Sequence, residues 1–579
     1  MLKKFCSYYK PHMKLFLFDL LCALLLSVCN LVYPLIAKYI IEELAGQIEK
    51  INLILALGGL LFFIYIIKAI LNFIIQYWGH IVGVRIQGDM RKEMFEHLQQ
   101  LPFAYFDDHK TGTIMSRLIN DLMDISELAH HGPEDIFIAT ITLIGSCILM
   151  IISVDPWLTL IIFSVVPFII FYAIFTRKGM RNAFTKMREE TGKINAQVES
   201  SVSGIRVSKA YVTEKYENEK FAKRNEKFKK ARSIAYKQMG IFGSGMTFFT
   251  DFLYLIALVS GGIFYSKNYI DGAEFTALIL YINNIIMPIR TIISIFEQIQ
   301  SGMTGFARFM EVLNCKKEED YPNAIDLDDI KEGISFNDVS FSYITNELDS
   351  EDSFVLSHLT FKINKGTTVA LVGPSGGGKT TICHLLPRFY EINSGDIKID
   401  GVNIKDLSRE NIHDLFTMVL QDTWLFNGTV KENIVYNNEN VTDEEVIDVC
   451  KKVGVHHFIK TLPNGYDSVL SDIDSVSSGQ RQLLTIARGM IDHKPLLILD
   501  EATSNVDTRT EELVQKAMDK LSEGKTSFII AHRLSTIKNA DLILVMKDGN
   551  IIEQGNHDEL IKENGFYANL YNSQFDKAE

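Results

Sequence analysis

The sequence predicts an all-α membrane domain of six transmembrane helices with long cytoplasmic hairpins, followed by a soluble α/β domain of the P-loop type. Three observations support this fold class. The first half of the 579 residues contains six apolar runs that are each long enough to cross a bilayer. From Gly333 onwards, short β-type runs alternate with helical segments. One of these strands leads directly into a glycine-rich loop with phosphate-binding spacing.

The six apolar runs define the predicted membrane spans. They are 15–41, 53–80, 136–154, 157–175, 241–265 and 275–299. Any one of them alone could be a buried core helix, but six in succession favour membrane spans. Lys and Arg cluster before the first run, between the second and third, and after the fourth. We therefore expect both termini and both long loops on the cytoplasmic side.

The two long loops, 81–135 and 176–240, have heptad-like apolar spacing with abundant Lys, Glu and Gln. This pattern predicts helices that continue out of the membrane as hairpins, with tips at 100–107 and 204–211. The hairpins are either solvated stalks or arms whose tips dock on the soluble domain and transmit its motion. The domain boundaries follow as a transmembrane domain at 1–310, an acidic linker at 311–332 and a soluble domain at 333–579.

Charge and cysteine content exclude two classes of function. The formal net charge of -13 argues against nucleic acid as a partner. The seven cysteines are scattered without a C-x-x-C pair, which argues against a disulfide framework or a cysteine zinc site. Cys383, just behind the glycine-rich loop, is expected to be a small buried residue in a reducing compartment.

The glycine-rich loop follows the spacing G-x4-G-K-[ST] and leads from strand 368–372 into a helix. Glycines let successive backbone N–H groups face one phosphate chain, and the helix N-terminus adds positive potential. Lys379 can reach the β- and γ-phosphates, and the Thr380 hydroxyl can ligate Mg²⁺. The expected cofactors are therefore ATP and Mg²⁺. The remaining residues predicted to bind ATP here are Gly373, Pro374, Ser375, Gly376, Gly377, Gly378 and Thr381.

Further polar residues after apolar strands complete the predicted site. Asp500 and Glu501 end a buried strand, so Asp500 is expected to hold Mg²⁺ and Glu501 to polarise the attacking water. His532 is expected to contact the γ-phosphate, although a lone histidine there is usually structural. Gln421 is predicted as a further Mg²⁺ ligand. Tyr343 either stacks on adenine or is an ordinary surface aromatic of its strand.

On these motifs the sequence resembles the ABC transporter family, and specifically exporter-type half-transporters with six membrane helices and one fused ATPase domain. The resemblance spans nearly the whole chain and also rests on the segments 476–482, 504–507 and 532–535. It implies that two chains pair head to tail and enclose ATP between the P-loop of one and the signature motif of the other. By that resemblance Ser477, Gly479 and Gln480 would contact the γ-phosphate of the ATP that the partner holds.

The sequence departs from the family pattern in three places. Ser478 replaces the first glycine of the common Leu-Ser-Gly-Gly-Gln signature, and Ser471-Asp-Ile-Asp474 replaces the upstream Gly-Glu-Arg-Gly. Ser504-Asn-Val-Asp507 replaces the frequent Ser-Ala-Leu-Asp. No predicted catalytic residue is lost, namely Lys379, Glu501 or His532. A weakened signature beside intact catalytic residues also fits one half of a heterodimer with two unequal sites.

The resemblance implies an ATPase that exports a lipid-like or drug-like molecule by alternating access. The expected partners are a second copy or a related half-transporter, the bilayer and the cargo, in a bacterial cell membrane. An importer built on the same plan, for example for a metal chelate, and an ATP-gated channel or regulator remain as alternatives. Polar residues in or near the spans are candidates for cargo contact or for helix–helix hydrogen bonding; they are Asp19, His80, Asn283, Asn284 and Arg290.

Overall fold

The structure is a computed structural model that describes residues 1–46, 51–343, 354–420, 423–438, 440–470, 476–500, 508–531 and 534–575. The chain forms two compact units. Unit 1 comprises Met1–Gln99 and Thr111–Cys315, and unit 2 comprises Gln100–Lys110 and Lys316–Glu579. The short segment 100–110 therefore belongs to the second unit, although the chain on either side of it belongs to the first.

Residues 1–315 form helices that are joined by turns and short irregular segments in their described parts. The helices are α1 (Leu2–Ser7), α2 (Met13–Gly46), α3 (Ile51–Ile74), α4 (His80–Leu98), α5 (Phe103–Asp108), α6 (Thr111–Ser116), α7 (Leu122–Ser153), α8 (Pro156–Phe163), α9 (Val166–Ser203), α10 (Ile205–Ala210), α11 (Glu214–Ser266) and α12 (Gly272–Leu313). A π-helical turn, Ile75–Gly79, joins α3 to α4, and a second, Arg117–Asp121, joins α6 to α7.

Six helical segments of the described chain are long and apolar enough to cross a membrane, which confirms the predicted number. They are Leu2–Glu43, Ile51–Leu98, Thr111–Ser153, Pro156–Ser203, Glu214–Ser266 and Gly272–Ile292. Several are far longer than the roughly 20 residues that a bilayer requires. The prediction that helices continue beyond the membrane as hairpins is therefore confirmed.

The fourth span lies where it was predicted, and it contains a local break that was not predicted from the sequence. Helix α8 ends at Phe163, and α9 begins at Val166 after the turn residues Ser164 and Val165. Pro167 explains the break, since it lacks the N–H that would bond to the carbonyl of Phe163 and its ring clashes there. The tight turn predicted at Asp155-Pro156 is present, and Asp155 caps α8 by accepting a hydrogen bond from the Leu158 N–H at 2.9 Å.

Helix α7 lies at the centre of unit 1, where it packs against α2, α4 and α12, while α9 packs against α11. Two glycines of α12 allow its close approach to α7. A Cβ on Gly302 would lie 2.5 Å from the Cβ of Leu128, and one on Gly305 would lie 3.0 Å from the carbonyl oxygen of Asp121. Arg308 binds the Asp121 carboxylate in a bidentate pair at 2.7 and 2.6 Å, which fixes the two elements in register.

The described part of unit 2 contains all the described strands and ten further α-helices. The strands are β1 (Gly333–Phe341), β2 (Leu356–Asn364), β3 (Thr368–Val372), β4 (Ser394–Ile399), β5 (Val402–Asn403), β6 (Phe416–Val419), β7 (Leu496–Asp500), β8 (Thr526–Ile530), β9 (Leu542–Lys547) and β10 (Asn550–Gly555). The helices are α13 (Lys379–Leu385), α14 (Arg409–Leu415), α15 (Val430–Val435), α16 (Asp443–Val453), α17 (His456–Thr461), α18 (Ser478–Ile491), α19 (Thr508–Ser522), α20 (Leu534–Lys538), α21 (His557–Glu563) and α22 (Phe566–Phe575).

Two sheets organise unit 2. An antiparallel sheet has the order β2-β1-β4-β5, and a larger sheet has the order β10-β9-β3-β8-β7-β6. In the larger sheet β9, β3, β8, β7 and β6 run parallel, and only β10 pairs antiparallel to its neighbour. The parallel strands are apolar along most of their length because helices cover both faces of such a sheet.

Within unit 2, the segment 100–110 packs on the rest of the unit through aromatic side chains. The ring of Phe103 stacks on that of Phe389 with centroids 4.2 Å apart. The Tyr390 hydroxyl donates a 2.5 Å hydrogen bond to the Asp107 carboxylate, and the Glu318 N–H donates to the Gln100 carbonyl at 2.8 Å. The prediction that the first hairpin tip docks on the soluble domain is confirmed by these contacts. The predicted boundaries at 310 and 333 stay predictions, since α12 ends at Leu313 and the tip is shared.

Candidate functional site

Four adjacent parallel strands end at one edge of the larger sheet, and the predicted site residues follow those ends. In register, Leu371 of β3 pairs with Ile530 of β8, and Ile530 pairs with Asp500 of β7. Ligands of such sheets bind beyond the carboxyl ends of the strands. Gln421, Glu501 and His532 follow β6, β7 and β8 in the chain but lie outside the described residues, as do 471–474 and 504–507.

The loop after β3 has the backbone that a phosphate cradle needs. Gly373, Gly376 and Gly378 have φ angles of +152°, +81° and +94°. A Cβ on Gly373 would lie 2.1 Å from the Met546 carbonyl oxygen, and one on Gly378 would lie 2.5 Å from Leu356 Cδ2. Only glycine fits these positions, so the sequence spacing reflects a steric requirement. Pro374, Ser375 and Gly376 are exposed, and Gly377 is buried, so the outer side of the loop is open to a ligand.

Lys379 lies under this loop at the start of α13. Its Nζ donates hydrogen bonds to the carbonyl oxygens of Gly373 at 2.8 Å and Pro374 at 2.9 Å. Burial lowers the pKa of the Lys379 ammonium, whereas the nearby Asp500 acts in the opposite direction. The positive charge is therefore held inside the loop on weak neutral acceptors, and a phosphate would be a stronger partner.

Thr380 and Asp500 carry oxygens of the kind that bind magnesium, and the Mg²⁺ site stays a prediction. Thr380 is exposed on the first turn of α13, and Asp500 ends β7 within electrostatic range of Lys379 and Cys383. Hydroxyl and carboxylate oxygens are the ligands that Mg²⁺ prefers. Cys383 itself is buried, which raises the pKa of its thiol, and it lies in the hydrophobic core as predicted.

Tyr343 lies beside the P-loop helix. Its hydroxyl and the Thr381 hydroxyl are hydrogen-bonded at 3.1 Å. Its ring makes edge-to-face contacts with Phe341 and Tyr390, at centroid distances of 4.8 and 5.1 Å, and remains 44% exposed. The position fits the predicted adenine stacking, which stays a prediction.

The signature residues form the N-terminus of α18. The Ser477 hydroxyl accepts a hydrogen bond from the Gln480 N–H at 3.3 Å, and the Gln480 side chain accepts one from the Ser477 N–H at 3.0 Å. This reciprocal capping box fixes the first turn, in which Gly479 is buried. Ser478 is the first helical residue, where serine is well tolerated, so the departure from glycine leaves the cap intact.

The P-loop and the signature motif pack in different parts of unit 2. Ile382 and Leu385 of α13 belong to one hydrophobic core with β1, β2 and β4. Leu483 and Ile486 of α18 belong to a second core with α15, α16 and α19. Each core holds one of the two predicted phosphate-binding elements.

Sequence reasoning missed the residues that receive the first hairpin tip. Phe389 and Tyr390 follow α13 closely and contact Phe103 and Asp107. Tyr390 also contacts Tyr343, so one aromatic cluster joins the tip to the predicted adenine side of the site. The signal for them was the pair of adjacent aromatics so soon after the P-loop helix.

A cavity of about 650 Å³ opens between α2, α3, α7 and α12 in unit 1. Asn283 and Asn284 line it, as two of the membrane candidates from the sequence. Asn284 also donates to the Asn30 carbonyl at 2.9 Å, and Asn283 accepts from the Tyr254 hydroxyl at 2.6 Å. Arg290 instead donates to the Thr250 hydroxyl at 3.3 Å. Asp19 and His80 are not among the lining residues, and they lie together elsewhere in the unit.

Comparisons with known proteins identify the family. A family model described as the transmembrane region of ABC transporters matches residues 16–289, and one described as ABC transporter matches residues 356–504. An uncharacterised ABC transporter ATP-binding protein of Bacillus subtilis, YwjA, is 40% identical over 99% of this chain and 99% of its own length. The chain belongs to the ABC transporter family.

Two further comparisons report another similar relative and a solved structure with the same fold. An ATP-dependent lipid A-core flippase of Syntrophus aciditrophicus is 32% identical over 99% of this chain and 94% of its own length. The solved structure of a bacterial Atm1-family ABC exporter with ATP bound has the same fold, with a TM-score of 0.82 over 97% of this chain and 98% of that one, at 24% identity. The transporter is a multi-pass membrane ATPase that uses ATP for export, and its half-transporter fold implies a dimer.

Proposed function

We propose that two copies of this chain form an exporter that moves an amphipathic, lipid-like or drug-like molecule across the bacterial cell membrane. Both termini and unit 2 would face the cytoplasm. The membrane cavity is the observation that carries the substrate class. Its volume of about 650 Å³ lies within the range of small-molecule sites.

The lining of the cavity is mixed in a way that suits an amphipathic cargo. Apolar side chains such as Leu26, Ile138 and Met287 form part of the wall. Lys68 and Asp135 bring charges of both signs to the same cavity. Burying a charged group at membrane depth costs free energy, so charged residues found there are candidates for a functional role. A cargo with an apolar body and a polar or charged head group matches such a wall, as does the flippase relative's lipid substrate. The cavity's remaining polar residues are Asn30, Asn72, Thr142, Asn283, Asn284 and Thr291.

Each residue of the nucleotide site has a proposed role in hydrolysis. The glycine loop binds the phosphate chain through its backbone N–H groups, and Lys379 neutralises the β- and γ-phosphates. Thr380, Asp500 and Gln421 would hold Mg²⁺, which when bound offsets phosphate charge. Glu501 would orient and polarise the attacking water, and His532 would contact the γ-phosphate. The other proposed ATP contacts are Tyr343, Pro374, Ser375 and Thr381.

The dimer would complete each site in trans. Ser477, Gly479 and Gln480 at the start of α18 would bind the γ-phosphate of the ATP on the partner's loop, because a capped helix N-terminus is an anion site. The intact capping box and the complete P-loop in one chain support pairing with a second copy.

The first test measures ATP hydrolysis by the purified chain in lipid, with Glu501→Gln as the matched variant. We expect hydrolysis by the wild type and a loss of at least about 100-fold in the variant, with ATP binding retained. Negligible hydrolysis by folded, ATP-binding wild-type protein would contradict the homodimer and point to a second chain whose signature completes the site.

The substrate class is tested separately, with fluorescent amphiphiles and a hydrophilic dye in inside-out vesicles. We expect ATP-dependent accumulation of amphiphiles but not of the dye. Asp135→Asn and Lys68→Gln should change the concentration at which an amphiphile stimulates hydrolysis while leaving unstimulated hydrolysis near wild type. Stimulation curves that do not respond to either variant would remove the cavity from the proposal.

A further inference from the structure

Three histidines of unit 1 converge at one point between two membrane helices. His80 begins α4, and His130 and His131 lie in α7. When one ring nitrogen is taken from each histidine, the three nitrogens lie within 4.8 Å of one another. The ring centroids of His80 and His130 are 4.4 Å apart, and those of His130 and His131 are 4.0 Å apart.

The helices that carry these histidines are locally irregular at the same level. The π-helical turn Ile75–Gly79 ends immediately before His80 and changes the direction of its side chain relative to a regular helix. In α7, Pro133 has no N–H to offer the carbonyl of Ala129. The Tyr9 hydroxyl donates to that carbonyl instead, at 2.5 Å.

Glycines bring the two helices close enough for the rings to meet. A Cβ on Gly83 would lie 2.8 Å from His130 Nδ1 and 2.8 Å from the Ser126 hydroxyl oxygen. One on Gly79 would lie 3.0 Å from Glu134 Oε2 and 3.3 Å from Asp19 Oδ1. Two carboxylates, from α7 and α2, therefore lie beside the residue that precedes His80.

The hydrogen bonds leave ring nitrogens available as ligands. His130 is 3% exposed, and its Nδ1 bonds to the Ser126 carbonyl at 2.9 Å, so Nδ1 carries the proton. Its Nε2 then presents a lone pair, and among the described residues this buried atom has no hydrogen-bond partner. His80 Nδ1 is likewise unpartnered in the described part of the chain. A backbone-bonded imidazole with its other nitrogen free is the arrangement found in metal-ligating histidines.

The neighbouring carboxylates favour a cation at the same place. Asp19 is 1% exposed and Glu134 is 4% exposed. Asp19 Oδ1 has no hydrogen-bond partner in the described chain, and neither carboxylate forms an ion pair with Lys or Arg there. Buried carboxylates are normally paired or bound to a metal. A divalent cation on the histidines would supply the missing positive charge.

We propose that His80, His130 and His131 bind one divalent first-row transition-metal ion, with Asp19 and Glu134 as nearby carboxylates that complete or orient the ligand set. Imidazole ligands suit Zn²⁺, Co²⁺, Ni²⁺ and Cu²⁺ better than the hard cation Mg²⁺. Zn–N bonds of about 2.1 Å require the nitrogens to approach to about 3.4 Å, which small ring rotations achieve. The ion would join α4 to α7, and the three histidines line neither the nucleotide site nor the proposed cargo cavity, although Asp135 of the cavity wall directly follows Glu134.

The test uses the full chain in lipid nanodiscs, purified through a tag without histidines and stripped with a chelator. Zn²⁺ alone is titrated by calorimetry, and retained metal is counted after dialysis. We expect one Zn²⁺ per chain in the wild type, and its retention in the presence of excess Mg²⁺. Co²⁺ in place of Zn²⁺ should give the visible absorption bands of nitrogen-bound Co²⁺, a readout that does not depend on ATP hydrolysis.

Variants then assign the ligands. His131→Ala, His80→Ala and His130→Ala should each weaken Zn²⁺ binding by at least about 100-fold, and Asp19→Asn by about 10- to 100-fold. His358→Ala is the matched control, because His358 is an exposed histidine of unit 2 and should bind Zn²⁺ as the wild type does. If the buried His130 proves necessary for folding, the Zn²⁺ affinity of His131→Ala is the deciding measurement. The side chain of His131 is 26% exposed, so its replacement should leave folding intact.

Two results would overturn the proposal. One is a wild-type chain that retains no Zn²⁺ and shows no Co²⁺ absorption bands. The other is a folded triple-histidine variant that binds Zn²⁺ with the wild-type stoichiometry and affinity, since the ion would then lie elsewhere.

Discussion

At the residue scale, the glycines of the P-loop serve two separable purposes. Gly373 must avoid a collision as well as adopt a positive φ, because its Cβ position is 2.1 Å from the Met546 carbonyl oxygen. Gly376 has a φ of +81° but nothing within 4 Å of its Cβ position. An added Cβ would therefore cause both backbone strain and a steric clash at Gly373, but only backbone strain at Gly376.

We predict that Gly373→Ala lowers the free energy of unfolding of the nucleotide-free protein by about 2–4 kcal/mol, because strain and backbone overlap add together. Gly376→Ala, the matched control, should cost only about 1–2 kcal/mol from its left-handed conformation. Thermal unfolding in detergent, without nucleotide, measures both. Equal losses at the two positions would contradict the collision with Met546.

Asp400 is a second residue with a specific local task, since it ties the end of the linker segment to the turn after β4. Its carboxylate accepts backbone N–H groups of Lys331, Glu332 and Gly333 at 2.5, 2.8 and 2.9 Å. Partial burial acts to raise the pKa of Asp400, but these N–H groups outweigh it and hold the pKa below its ordinary value.

The lowered pKa of Asp400 gives a pH dependence with a defined sign. The charged form is stabilised in the folded state, so its contribution is present above the unfolded pKa of about 3.9 and is lost as pH falls through the lower folded pKa. At pH 7, Asp400→Asn should destabilise the protein by about 1 kcal/mol after allowance for solvent screening. The difference from wild type should shrink in unfolding experiments as pH falls below about 3.9 and Asp400 takes up a proton.

Asp548 provides the control for that experiment. Asp400 and Asp548 both have a φ of +49°, but in the described chain the Asp548 carboxylate accepts no such backbone hydrogen bonds. Asp548→Asn should therefore lack the loss of stability at pH 7 that Asp400→Asn shows. An equal loss in this variant would mean that the effect comes from the turn conformation or from net charge.

At the scale of elements, the first hairpin tip is held within unit 2 by one aromatic stack and by the hydrogen bonds of Asp107 and Gln100. Phe103 stacks on Phe389, while Phe106, on the same helix and also 44% exposed, contacts only Tyr105 among the aromatic rings described. Aromatic pairs contribute about 0.5–1.5 kcal/mol beyond their buried area. The loss of this stack should therefore weaken the link between cargo binding and hydrolysis.

We predict that Phe103→Ala reduces cargo-stimulated ATP hydrolysis and transport by about 10-fold while unstimulated hydrolysis changes little, because the loss of about 1.4 kcal/mol falls on the contact between tip and soluble domain. Phe106→Ala should behave as the wild type. Parallel loss of stimulated and unstimulated hydrolysis in Phe103→Ala would show that the tip supports the nucleotide site itself.

Most elements could be predicted from the sequence, and the exceptions have physical causes. The six spans, the hairpins, the P-loop strand and the order of the site motifs all follow from local patterns. The break before Val166 was missed because an apolar run conceals the effect of Pro167. The contact of Tyr390 with Asp107 joins residues 283 positions apart, and no local pattern encodes it. His80 was noted alone because its partners lie on another helix.

At the scale of the whole molecule, the proposed sites are shared between two chains. Lys379 begins α13 and Ser477 caps α18, and these two helices pack in different cores of unit 2. Each chain would therefore contribute its P-loop to one site and its signature motif to the other. Lys379→Ala removes the P-loop charge, and Ser477→Ala removes the helix cap of the signature. Consider a dimer of one Lys379→Ala chain and one Ser477→Ala chain. The altered P-loop and the altered signature motif then meet in the same site, and the other site contains neither change.

We predict that Lys379→Ala and Ser477→Ala homodimers each lose at least about 100-fold in ATP hydrolysis. Dimers that contain one chain of each, purified through two different tags, should regain one intact site and a substantial part of the wild-type rate. Each homodimer carrying both tags is the control. Mixed dimers that hydrolyse ATP no faster than the two variant homodimers would contradict composite sites.

The membership of residues 100–110 in unit 2 means that the chain passes between the two units three times, at 99/100, 110/111 and 315/316. Proteolysis within the acidic segment after Cys315 would consequently leave both products attached. A soluble fragment that begins at Lys316 would lack the tip and expose the rings of Phe389 and Tyr390 to water. Such fragments should self-associate, and addition of a peptide corresponding to 100–110 should return them to monomers.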